Sequence, residues 1–218
     1  MLDFPKSTIF NKRIAKQKVY DGLKISTSFE KQIIKEIDTI YWKNKLSSDT
    51  LNISEGKYVN EIEIFEITLK GDTISKNLIE FLDREIPYHI VFVIKKGDLG
   101  QIWVSLKEYN KNREGKFKVD TYFITCWLRY EDLSLKIDGL NLDKVYENFI
   151  LQVSNGKIQI DDGENIKDAV DNAKMIEKLE KEEKRIDTRI RNEKQFNQQV
   201  QLMRELRNVK AKLKNYRK

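Results

Sequence analysis

Cysteine and histidine occur once each in 218 residues, as Cys126 and His89. A single thiol excludes an intrachain disulfide and favours a reducing compartment. One Cys with one His leaves a structural zinc site short of ligands. Long apolar runs are also missing: the longest, residues 90–94, is far short of a bilayer span. The opening MLDFPKSTIFNKR lacks the apolar core of a signal peptide, so a cytoplasmic setting is expected. No P-loop occurs, and the nine glycines form no cluster that would cradle a phosphate. Residues 164–218 contain neither Gly nor Pro, which removes the usual helix breakers from a quarter of the chain.

What is present in excess is positive charge, and all of the excess is in one place. Residues 1–163 hold 25 Lys/Arg and 25 Asp/Glu, and residues 164–194 hold nine of each. Residues 195–218 hold Arg204, Arg207, Lys210, Lys212, Lys214, Arg217 and Lys218 against one acid, Glu205, which accounts for the whole net charge of +6. A local patch concentrates polyanions around itself in a way that dispersed charge does not.

The length suits one domain plus an appendage, divided at 1–163 and 164–218. Residues 1–26 read as an extended arm or short helix. Thr27 and Glu30 have the spacing of a capping box, and Phe29, Ile33, Ile37, Ile40 and Tyr41 follow at helical spacing, predicting a helix over 28–45 flanked by Trp42. A strand over 62–69 changes the parity of its apolar residues, which implies a bulge or two buried faces and a central position. A helix over 73–85 stops before Pro87. Strands at 88–95, 102–109 and 117–129 follow, with a short one possible at 133–137, and then a helix over 142–154. One strand–helix–strand crossover followed by hairpins predicts an α+β domain, a mixed sheet with flanking helices.

In 164–218 apolar residues recur every three or four positions, so the segment is helical. The stripe loses register at 191–195. A fold-back there sets Glu177, Glu180 and Glu183 opposite Lys212, Lys210 and Arg207. An antiparallel helical hairpin is therefore favoured over one long helix that would form a homodimeric coiled coil. The hairpin acids offset part of the basic segment, but nine bases already accompany them, so some cations stay free for phosphate. With no Trp and one Phe in the tail, no membrane partner is expected.

Most candidate chemistry is weak. Glu61, Glu63 and Glu66 with Lys107 suggest a divergent Mg2+-dependent nuclease of the PD-(D/E)xK type. Ser105, however, stands where that pattern needs a carboxylate, and Glu66 and Lys70 are some ~13 Å apart along a strand. Solvent-side glutamates of an amphipathic strand are the favoured reading. His89 reads as a hydrogen-bonded residue at a strand start, and Cys126, within the apolar run 122–128, as a buried inert thiol. Trp103 and Trp127 read as core; a stacking platform with Tyr109 or Tyr122 is the alternative. No catalytic residue, metal ligand or cofactor is assigned.

The stretches FNKRI (10–14), IYWKNKL (40–46), IPYHI (86–90), GLNLDKVYENF (139–149) and EKQFNQQV (193–200) occur in an order that resembles the DUF4391 family, a domain of unknown function. The resemblance spans nearly the whole chain. It implies genetic neighbourhoods with SNF2-like helicases and DNA methyltransferases, hence an accessory role in restriction or phage defence, and it implies no catalytic residues. The expectation is a non-enzymatic accessory protein that meets a partner protein (a helicase or methyltransferase), DNA, or both, through the seven cations of the tail. A nuclease and a structural coiled-coil adaptor are the alternatives.

Overall fold

The computed structural model describes residues 2–217 except Lys24, Lys111, Glu114, Gln159 and 161–164. The chain forms two compact units, 1–156 and 157–218. The first is built on a mixed sheet ordered β1 (Ile9–Ile14), β2 (Ile37–Ser47), β3 (Glu61–Leu69), β4 (His89–Lys96), β5 (Leu99–Tyr109) and β6 (Phe117–Ile124), with the short β7 (Leu128–Arg129) also paired to β5. Only β3 and β4 are parallel. Their connection has to cross over, and the helix that does so ends where Pro87 forbids continuation. The α+β class is as expected. Among the described residues no helix is long and apolar enough to cross a membrane.

Helices α1 (Lys16–Leu23), α2 (Thr27–Glu36) and the crossover α4 (Lys76–Glu85) cover one face of the sheet, and α3 (Ser48–Leu51) is a single turn after β2. Ile33, Leu78, Ile79 and Leu82 from this layer pack on Ile40, Ile67, Phe92, Ile94 and Trp103 of the strands. Helix α5 (Leu142–Ser154) packs against β3, β5 and β6 and buries Val145, Tyr146, Phe149 and Ile150. With both sides covered, β3 is buried almost throughout, which accounts for its change of apolar parity without a break.

The helix expected over 28–45 stops at Glu36, and Ile37–Ser47 is a strand. Ile37, Thr39, Ile40, Tyr41 and Trp42 are β-branched or aromatic, and β3 supplies a full ladder for them, which decides the contest against helical spacing. Register shifts at 37/39 and 42/44 let the apolar residues share a face despite their irregular spacing. The cap is one residue earlier than read: Ser26, not Thr27, accepts from the Phe29 N–H. Glu36 reaches across to accept from the Ser75 N–H (2.7 Å) and hydroxyl (2.6 Å), so the end of α2 fixes the start of α4 at Lys76. Residues 133–137 are not a strand, and β6 ends at Ile124 rather than at 129. Asp143, in the first turn of α5, accepts from the N–H groups of Lys57 (2.7 Å), Tyr58 (3.0 Å) and Val59 (2.8 Å) and pins the loop before β3.

Sheet edge β1 bears a register shift between Ile9 and Lys12, where Asn11 has φ 45°. The second unit is a helical pair, α6 (Ile166–Asn192) and α7 (Phe196–Tyr216).

Candidate nucleic-acid interface

The fold-back between α6 and α7 follows from local chemistry at Glu193. Its carboxylate accepts from the N–H groups of Lys194 and Gln195, both at 2.9 Å, placing negative charge at the N-terminus of α7. Its carbonyl accepts from the Gln199 side chain at 2.6 Å. Beyond the turn, Leu202, Leu206, Val209 and Leu213 meet Ile176, Leu179, Ile186 and Ile190 of α6. The apolar stripe that a coiled-coil dimer would have used is thus spent within the chain.

That seam occupies one side of α7, and most of its other side chains are exposed. At 100° per residue, Arg204, Arg207, Lys210, Lys214 and Arg217, spaced three, three, four and three apart, fall along one side of the helix. They span about 20 Å at 1.5 Å per residue. Exposed Met203 and Phe196 lie on the same side. Lys212 lies on the opposite flank, and Lys218 is outside the described residues.

Two of the cations are paired: Lys210 with Glu183 at 3.6 Å and Arg217 with Glu180 at 2.5 Å. The pairing expected from sequence is displaced along the helices; Glu183 meets Lys210 rather than Arg207, and Glu177 turns to Lys181 of its own helix at 2.6 Å. Among the described residues, Arg204, Arg207, Lys212 and Lys214 make no ion pair. Exposed pairs contribute at most about 1 kcal/mol each, so Lys210 and Arg217 are held only weakly by their carboxylates.

The nuclease constellation does not assemble. Glu61 and Glu63 lie on one face of β3, with Glu61 bound to Lys45 at 2.6 Å. Glu66 lies on the other face and accepts from the Tyr130 hydroxyl. Lys107 is sealed away: its ammonium donates to the Asp83 carboxylate (2.6 Å), the Asp83 carbonyl (3.1 Å) and the Tyr88 carbonyl (2.7 Å). Burial lowers the Lys107 pKa and Asp83 opposes that shift. Ser105 and Tyr122 donate to the other Asp83 oxygen at 2.6 and 2.8 Å, closing the network. Among the described residues no group of three His, Cys, Asp or Glu side chains could hold a metal ion. The solvent-side reading of the glutamates also fails, since Glu63 is fully buried and Glu66 nearly so.

His89 is buried edge-on against Phe117 and Tyr146; burial first, and the Lys107 charge second, hold its pKa well below the usual range. Its ring is therefore neutral at pH 7. Cys126 is exposed, contrary to expectation, because β6 ends two residues before it. Trp103 is core, whereas Trp127 is partly exposed on the same short loop as Cys126.

A mixed sheet covered by helices, followed by a helical hairpin with a cationic side, defines an α+β protein with a charged appendage. A family model described as "Domain of unknown function (DUF4391)" matches residues 2–213, and the chain belongs to that family. The match takes in both units. No curated protein and no solved structure matches the chain.

Proposed function

We propose that this chain is a non-enzymatic accessory protein that binds the DNA backbone, without reading sequence, through the cationic side of α7. The observation that carries the reading is the row Arg204, Arg207 and Lys214, exposed and, among the described residues, without carboxylate partners, extended at small cost by Lys210 and Arg217. Five point charges over about 20 Å match a duplex that presents a phosphate every few ångströms along each strand. Phosphate contacts position a protein without specifying sequence. The helicase and methyltransferase neighbourhoods implied by the family resemblance support a place in DNA restriction or phage defence, with such an enzyme as protein partner. A reducing cytoplasm, where exposed Cys126 stays a thiol, is the matching compartment.

Fluorescence anisotropy with a 30-base-pair duplex at several salt concentrations tests this. If all five cations engage, log K falls against log salt with a slope of about −4.5. The charge reversal Arg204→Glu/Arg207→Glu/Lys214→Glu brings the slope to about −1.8 or shallower and weakens binding to unrelated sequences alike. Far-ultraviolet circular dichroism checks that the hairpin persists. Equal DNA retention by the reversed and native proteins overturns the reading.

A further inference from the structure

Helix α1 is tied to the sheet by the Lys16 ammonium, which donates to the Ile37 carbonyl at 2.6 Å. Between this helix and the strands lies a pocket of about 250 Å3. Its walls are apolar, among them Val19 and Leu23 of α1, Ile40 and Trp42 of β2, Phe65 of β3 and Ile86 after α4. Exposed Lys18, Gly22 and Tyr88 border it on the solvent side.

Glu63 lies at the floor. It is fully buried, and neither carboxyl oxygen makes a hydrogen bond of sound geometry, although Glu61 and Trp42 lie close enough to act on it. The other buried acids of this unit are all satisfied: Asp83 by Lys107, Ser105 and Tyr122, Glu85 by Lys116 at 3.0 Å, and Glu66 by Tyr130. Among the described residues only this carboxyl and the Tyr20 hydroxyl of α1 are buried side-chain groups without a hydrogen-bond partner, and a buried carboxyl in that state calls for a partner from outside.

We propose that this pocket binds a small apolar organic cation, an aryl or alkyl ammonium whose N–H groups donate to Glu63 while its hydrocarbon body fills the walls. An apolar cavity of about 150 Å3 takes a benzene ring, so the space here suits a ring with a short amine-bearing chain. A neutral hydrocarbon would fill the walls and leave Glu63 unsatisfied. A fatty acid would press its tail against the carboxyl.

Proton bookkeeping gives the site a signature. Burial, and then the neighbouring Glu61, push the Glu63 carboxyl up to about 9, with Trp42 and then Lys45 opposing. The empty pocket therefore holds a neutral acid at pH 7. Lys18 and Tyr88, the other polar groups bordering the space, are exposed and screened by water. Seating an ammonium ionises Glu63 and releases one proton.

Titration calorimetry with 2-phenylethylamine and its neutral analogue 2-phenylethanol, at pH 6, 7 and 8 in two buffers of different ionisation enthalpy, tests the proposal. The amine should bind at least tenfold tighter than the alcohol at pH 8, release a proton, and gain up to about tenfold in affinity per pH unit. Glu63→Gln should abolish the proton release and the pH dependence and bring the two affinities within about threefold. Gly22→Phe introduces a side chain at the pocket's border, where a Cβ meets nothing within 4 Å. It should block both probes with the fold intact by circular dichroism. Equal binding of amine and alcohol, an unchanged amine preference in Glu63→Gln, or no binding of either probe at millimolar concentration overturns the assignment. DNA binding by α7 is independent of every one of these outcomes.

Discussion

Lys107 in the sheet unit and Lys210 in the hairpin both face a carboxylate, yet the two pairs are physically unlike. Lys107 and Asp83 have no exposed side-chain surface, meet at 2.6 Å, and are enclosed by further hydrogen bonds. Lys210 and Glu183 sit 3.6 Å apart with more than half of the lysine side chain in solvent. Desolvation makes the first pair obligatory, because either charge alone would be stranded. Hydration makes the second exchangeable, because water serves either partner as well. The sheet unit uses charge to lock its own interior; the hairpin keeps its charge in contact with solvent.

The sharpest way to break this contrast is Lys107→Met, which leaves the Asp83 carboxylate buried without its cation. It should cost about 3–5 kcal/mol by urea unfolding, and a loss below about 1 kcal/mol would show that the pair is not obligatory. Glu63→Gln tests a buried acid of the same unit by pH. A folded pKa near 9 against the ordinary carboxyl value means that the native state holds the proton longer than the unfolded one. Stability from this group is complete below the unfolded pKa and is lost as pH rises toward 9, by at most about 1.4 kcal/mol per unit. The Gln variant should therefore flatten the decline between pH 5 and 9, which urea midpoints across that range would reveal. Gly56→Ala places a methyl group against the Asp143 side chain and backbone N–H. Displacing that carboxylate from the 57–59 loop should cost about 1–3 kcal/mol of stability. The smallest effect belongs to the hairpin: Arg217→Ala should change its thermal midpoint by the equivalent of 1 kcal/mol or less.

The parts of the fold that could be read from sequence are those decided by neighbours in the chain. Helix α5 matches its expected bounds because Asn141 caps it and Asn155 ends it in the left-handed conformation. The hairpin was legible because 55 residues without Gly or Pro keep one apolar line whose only break is the turn. Strand β2 was not, since Ile33, Ile37 and Ile40 fit a helix until β3 is known to lie alongside. The cationic row was visible as composition, but which members stay unpaired depends on the axial offset between α6 and α7. The Glu63 pocket left no local trace. Alternation in Glu61–Leu69 pointed its acids at solvent, and among the helices on that face α1, which lies by the Glu63 pocket, is weakly apolar and buries no residue fully.

The register shift at β1 bears on how this sheet ends. A flat terminal strand is a template for accretion of further chains, whereas a kinked one carrying Lys12 and Arg13 offers an incoming strand a broken ladder and repulsion from like charges. Straightening that kink by replacing Asn11 with a β-branched residue and neutralising the two cations would turn this border into a seed for fibrils.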